Sequence, residues 1–124
     1  MTPDNPEKNF TASSHLRRAG IAEALEAVKH STAPLPSAAI FEHGTLQVKM
    51  YQPAEADMQK PHDRDEVYFV ASGSGSFVNG SDRHPFGSGD MLFVPAGVVH
   101  RFEDFTDDFC TWVVFYGPEG GEQP

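Results

Sequence analysis

Basic residues are scarce in this chain of 124 residues, and acidic residues outnumber them two to one. Nine Lys and Arg stand against 18 Asp and Glu, which gives a formal net charge of -9 at pH 7. A surface of that sign repels phosphate groups, so we expect neither nucleic acid nor an anionic membrane as a partner. A DNA-binding regulator would also need a pair of helices, and the sequence predicts only one weak helix.

Cysteine and long apolar runs are lacking as well. Cys110 is the only cysteine, so no disulfide can form within the chain, as is typical of proteins from a reducing compartment. No apolar run approaches the ~18 residues of a membrane span, and the polar first ten residues do not resemble a signal peptide. We therefore expect a cytoplasmic protein. Its apolar fraction of 39%, with ten Phe, suits the core of one domain.

The chain divides by composition into four stretches. Residues 1–13 are polar and predict a flexible arm. Residues 14–36 predict a helix and a connector: the helix runs from Ser14 to about Lys29, is capped by Ser13 or Ser14, and is weakened by Gly20. Residues 37–117 predict a barrel, and residues 118–124, rich in Gly, Pro and Glu, predict a flexible tail.

Short strands and turn signals follow one another after Ala38. Apolar Leu46, Val48 and Met50 alternate with polar residues, and Asn79-Gly80 predicts a hairpin with a type I′ turn. Seven or eight short strands at close spacing, without helices between them, indicate an antiparallel sandwich or barrel.

A first chemical motif joins His62 to Glu66. His62 lies where one strand is expected to end and Glu66 where the next begins, so a tight turn would bring them together. If Glu66 faces inward, the two-residue period of a strand sends Tyr68 inward too.

A second motif contains Gly89, Pro95, Gly97 and His100. The glycines and the proline predict turns, and His100 then enters a strand among apolar neighbours. A buried imidazole there needs either a metal ion or a hydrogen-bond partner.

Together the two motifs resemble those of the cupin superfamily, over roughly Ala38 to Tyr116. The second cupin motif is matched at all four positions, although Asp104 stands where the family pattern has Asn. In the first motif His62 takes the place of the second family histidine, and Lys60 occupies that of the first. An alternative alignment makes His62 the first histidine and puts Arg64 at the second position; either way one imidazole is missing.

The resemblance implies an all-β fold, a cupin double-stranded β-helix or jelly-roll barrel with one N-terminal helix, and a homodimer. It implies that His62, Glu66 and His100 bind one divalent metal ion, with Fe, Mn, Ni and Zn not distinguished. The open alternative is a hydrogen-bonded polar cluster in a barrel without metal. We expect Lys60, Tyr68 and Phe102 to line the pocket, where Lys60 would anchor a substrate carboxylate.

Two classes of function fit such a barrel. One is a metal-dependent enzyme, of oxygenase, isomerase or lyase type, acting on a small organic molecule. The other is a module that binds or senses a small ligand without catalysis.

Overall fold

A computed structural model describes residues 18–124 as one helix followed by eight strands. The elements are α1 (Ile21–Lys29), β1 (Ser37–His43), β2 (Leu46–Tyr51), β3 (Asp65–Ser72), β4 (Gly75–Asn79), β5 (Asp82–Phe86), β6 (Met91–Val94), β7 (His100–Glu103) and β8 (Cys110–Tyr116). All strand pairs are antiparallel, in one sheet of order β1-β2-β8-β3-β6 and another of order β5-β4-β7. The expected all-β fold with one helix before it is confirmed.

Two apolar clusters hold these layers together. The larger one fills the space between the sheets and is mainly aromatic, with edge-to-face and tilted ring pairs; it includes Tyr68, Phe77, Phe86, Phe102 and Phe109. The smaller one lies on the outer face of the five-stranded sheet, where Ala24 and Val28 of α1 pack with Ile40, Met50 and Cys110.

The helix begins later than the sequence predicts. Ser13 and Ser14 lie outside the described residues, and residues 18–20 are not helical. Gly20 is the N-cap rather than a weak point inside the helix: its backbone N–H donates to Glu23 Oε1 at 3.0 Å, and its carbonyl accepts from Ala24 N at 3.0 Å. Glycine is accepted here because an N-cap residue has non-helical backbone angles, and Gly20 is extended, with φ -91° and ψ 168°.

The β4–β5 hairpin also differs by one residue from the expected turn. Asn79 pairs with Asp82, so the two turn residues are Gly80 and Ser81. Gly80 has φ 63°, while Ser81 is not among the residues with positive φ. A positive φ at only the first turn position fits type II′ and not type I′.

Residues 118–124 follow β8 and contact the start of β3. The Glu122 backbone N–H donates to Asp65 Oδ2 at 2.8 Å, and Gly120 N donates to the Asp63 carbonyl at 2.6 Å. The expected flexibility of this tail stays a prediction, as does that of residues 1–13, which lie outside the described part. No helix among residues 18–124 is long and apolar enough to cross a membrane.

Gly73 and Gly89 allow a matched test of backbone strain and close packing. Both have φ 87°, but a Cβ at Gly73 would lie 2.6 Å from Phe109 Cα, whereas nothing lies within 4 Å of one at Gly89. Gly89→Ala should therefore lower the free energy of unfolding by about 1–2 kcal/mol through strain alone. Gly73→Ala should cost roughly 1–3 kcal/mol more, because the backbone of Phe109 must move. Urea unfolding of both variants measures the difference, and equal losses would contradict this packing argument.

Candidate metal centre

The two motif segments meet where the two sheets face each other at one end of the barrel. Glu66 is the second residue of β3 in the five-stranded sheet, and His100 is the first residue of β7 in the three-stranded sheet. His62 lies on the segment before β3, and its carbonyl accepts from Gly97 N at 2.6 Å. That bond ties the His62 loop to the turn that leads into His100.

The three side chains present one ligand atom each, all within 4.8 Å of one another. Glu66 Oε1 lies 3.1 Å from His100 Nε2, and Glu66 Oε2 lies 4.0 Å from His62 Nε2. Donors bound to one ion at about 2.1 Å lie about 3 Å apart when adjacent and about 4.2 Å apart when opposite. The cluster therefore needs only a small contraction to surround a metal ion.

The buried polar atoms of the cluster have no hydrogen-bond partners among the described residues. Glu66 and His100 are 1% and 2% exposed, yet both Glu66 oxygens and His100 Nε2 are unsatisfied. The 3.1 Å contact between them lacks hydrogen-bond geometry. Buried polar atoms are paired in almost all native proteins, so these three atoms call for a further partner, such as a metal ion, a proton on His100 Nε2 or an ordered water.

The tautomer of His100 strengthens this conclusion. Its Nδ1 donates to the Val98 carbonyl at 2.8 Å, since a carbonyl can only accept. A neutral His100 then directs the lone pair of Nε2 at the Glu66 carboxylate, and two acceptors face each other. Backbone bonding of the outer ring nitrogen is also what orients histidine ligands of metals.

The pKa values of the two histidines are shifted in opposite directions. Burial favours neutral His100, but the Glu66 carboxylate and the Val98 carbonyl outweigh burial, so the pKa of His100 lies above its ordinary value. Burial lowers the pKa of His62, although Glu66 opposes the shift. His62 is also the most accessible of the three, with 32% of its side chain exposed, which places it on the side of the site that faces solvent.

Aromatic rings enclose the buried side of the cluster. The Tyr68 ring lies 6.1 Å from that of His100 and 4.9 Å from that of Phe102. Burial, reinforced by the charge of Glu66, raises the pKa of Tyr68 well above its usual range. The Tyr68 phenol therefore stays protonated and donates, at 2.9 Å, to Gln59 Oε1.

The two residues expected near the missing family histidine lie away from the cluster. Lys60 is exposed, and the Arg64 guanidinium donates to the Thr45 carbonyl and lies 5.9 Å from the centre of the Phe115 ring.

Sequence reasoning missed two polar residues beside His62. Lys49 pairs with Val113, a residue of the barrel core, so the two side chains share the inner face of the sheet; its charge acts on His62. Gln59 Oε1 lies 3.5 Å from His62 Nε2. The alternation in β2 predicts the position of Lys49 once the apolar face of β2, which includes Met50, is known to pack against α1. Lys49 must then lie on the opposite, inner face of the sheet.

Comparisons with known proteins agree with this architecture. The chain is 44% identical over 63 residues to an uncharacterized protein of Streptomyces coelicolor, an alignment that covers 51% of this chain and 60% of that relative. A solved structure of unknown function from Rhizobium leguminosarum bv. viciae is similar with a TM-score of 0.62 and 18% identity, over 83% of this chain and 98% of the other. A cupin 2 conserved barrel domain protein from Salinispora arenicola is similar with a TM-score of 0.56 and 20% identity, over 67% and 76%.

At these identities the solved structures support the fold alone. The match to a family model is more specific: the one described as the cupin domain covers residues 47–116, which include Glu66, His62 and His100. The chain belongs to the cupin family.

Proposed function

We propose that the barrel binds one divalent metal ion through His62, Glu66 and His100, and that it is a metal-dependent enzyme acting on a small anionic molecule. The observation that carries the metal proposal is the buried Glu66 carboxylate, which faces two imidazoles and has no hydrogen-bond partner among residues 18–124. Two imidazoles and one carboxylate suit Fe(II), Mn, Ni or Zn. A bound ion supplies Lewis acidity toward a substrate oxygen.

Residues of the chain itself define the remaining chemistry of the site. Lys49 adds a positive charge on the inner face beside His62, where a substrate carboxylate can pair with it. Tyr68 and Phe102 form the apolar wall and limit the access of water. A non-catalytic binding module would use the same residues, and turnover separates the two functions.

Metal content tests the proposal directly. The wild-type protein should carry about one divalent ion per chain after growth in metal-supplemented medium, and added ion should raise its melting temperature, because a ligand of the native state stabilises it. His100→Ala and Glu66→Ala should lose both effects, whereas His43→Ala, at an exposed hairpin position, should keep them. Elemental analysis and thermal melts measure this. A wild type without metal and without a shift on adding Mn, Fe, Ni or Zn would overturn the proposal.

The pH dependence of metal affinity follows from the histidines. Metal binding displaces the proton of His100, whose pKa lies above the ordinary 6.5, so competition by protons should begin above that pH. Below the pKa of His100, the dissociation constant for Mn(II) should rise about tenfold per pH unit. The pKa of His62 is lowered, so protons compete with the metal ion for His62 only at lower pH. The dependence of the dissociation constant on pH should therefore steepen there. Titration calorimetry from about pH 8 to 5 measures this, and an affinity independent of pH would exclude histidine ligands.

Anion binding tests the role of Lys49. Small carboxylates should stabilise the metal-loaded protein, and the corresponding neutral amides should not. Lys49→Met should weaken carboxylate binding roughly tenfold to a hundredfold, the range of a charge-assisted hydrogen bond. Lys60→Met is the comparison, because Lys60 is the anchor that the sequence alone suggests. A larger loss in Lys60→Met than in Lys49→Met would return that role to Lys60.

The homodimer and the cytoplasmic location stay predictions. For the homodimer, an exposed apolar patch on the outer face of β3 and β6 offers a surface: Phe69, Met91 and Phe93 are 47%, 58% and 42% exposed. A patch of this kind, at the edge of a sheet, suits a two-fold interface.

A further inference from the structure

The segment between β2 and β3 brings a fourth polar group to the metal centre. Gln59 lies on this segment, three residues before His62, and is half-buried. Its Oε1 accepts a hydrogen bond of 3.5 Å from His62 Nε2, the same nitrogen that lies 4.0 Å from Glu66 Oε2. A metal ion at the site would take the place of this proton. The spacing of Gln59 Oε1 and His62 Nε2 is thus comparable with that of the other potential ligands.

Hydrogen bonds fix which end of the Gln59 amide faces the site. Its Nε2 donates to Asp57 Oδ2 at 2.7 Å, and a carboxylate can only accept. If the amide were flipped, two oxygens would face each other, so the carbonyl oxygen must point toward His62 and Tyr68. In this orientation the Tyr68 OH donates to the same oxygen at 2.9 Å.

Asp57 in turn is fixed by several donors. It accepts from Tyr51 OH at 2.5 Å, from Gln59 N at 3.1 Å and from the backbone N–H of Phe102 at 2.8 Å. Phe102 is two residues beyond His100 on β7. The position of Gln59 is therefore coupled to the strand that carries His100.

We propose that Gln59 supplies a fourth, neutral oxygen ligand through its side-chain carbonyl to the metal ion held by His62, Glu66 and His100. A carbonyl oxygen has two lone pairs, here directed at Tyr68 and His62. Once an ion replaces the proton of His62 Nε2, the Gln59 oxygen can keep the bond from Tyr68 and bind the ion with its second lone pair. Gln59 is the residue before Lys60, and Lys60 occupies the position of the missing family histidine. Replacing an imidazole by a carbonyl oxygen shifts the preference of the site toward harder ions such as Mn(II). The inference rests on the proposed metal site.

Mn(II) is the probe for the first test. Gln59→Leu should weaken Mn(II) binding by roughly tenfold to a hundredfold, and the bound ion should gain one exchangeable water, counted by the broadening of its electron paramagnetic resonance in ¹⁷O water. Met58→Leu, at a 71% exposed position on the same segment, is the control and should change neither quantity. If Gln59 only positioned His62 or a bound water, the water count would stay constant, and that result overturns the proposal.

A second measurement needs no variant and so does not depend on how Gln59→Leu folds. Wild-type protein labelled with ¹³C at the glutamine side-chain carbonyls should show, in the Mn(II) form, the electron–nuclear double resonance coupling of a carbon one bond beyond a metal-bound oxygen. No such coupling in a protein that does bind Mn(II) would remove Gln59 as a ligand and leave the three-residue site intact. A wild type that binds no Mn(II), Fe(II), Ni(II) or Zn(II) would instead reject the metal site itself.

Discussion

The contact of Glu66 with His100 is the interaction on which the interior of the barrel depends. Each residue belongs to a different sheet, and both are almost completely buried. Removing a carboxylate from water costs several kcal/mol even after relaxation, so the pair is stable only if a positive charge stands between or upon its members. The proposed metal ion would supply that charge, and protonation of His100, whose pKa is raised, would supply it in the absence of metal. Metal and proton would then compete for the same position.

The polar network of the β2–β3 segment holds His62, the most accessible of the three proposed ligands. His62 lies on a segment without regular structure, where a side chain is free to move unless the backbone is fixed. The Asp57 carboxylate fixes one part of the segment by binding Tyr51 and Phe102, and the bond from Gly97 N to the His62 carbonyl fixes another. A ligand set is preorganised in this way by residues that do not themselves touch the metal.

The sequence predicts the parts of the site that depend on local rules. Glu66 and Tyr68 share a face because strands alternate, and Gly89 and Gly97, the glycines at which the second motif predicts turns, adopt positive φ. Asp104 also fits: it is the only described residue other than glycine with positive φ, at 52°, a conformation that Asn and Asp both tolerate. Asp104, although it replaces the Asn of the family pattern, can therefore adopt the positive φ that this position has.

What the sequence does not predict depends on contacts between distant segments. The inner position of Lys49 follows only once α1 covers the opposite face of β2, and the weak helical pattern does not specify where α1 packs. The orientation of the Gln59 amide depends on Asp57, whose own position is set by Phe102, 45 residues further along the chain. The type of the turn, I′ or II′, depends on which residues of β4 and β5 pair. The Asn79-Gly80 sequence predicts a turn there but leaves the register of that pairing uncertain by one residue.

The charge of the site argues for an anionic ligand in spite of the charge of the whole chain. The proposed ligands contain one carboxylate and otherwise neutral groups, so a divalent ion would keep an excess positive charge, and Lys49 adds to it on the same inner face. The rest of the protein carries a formal charge of opposite sign, -9 for the whole chain, and at physiological salt its distant charges are screened over about 8 Å. Close to the site, a bound metal ion together with Lys49 would therefore outweigh the negative charge of the surface. A small carboxylate that reached His62 would therefore be attracted by the metal ion and by Lys49. The aromatic side chains around Tyr68 would limit the size of the ligand that fits.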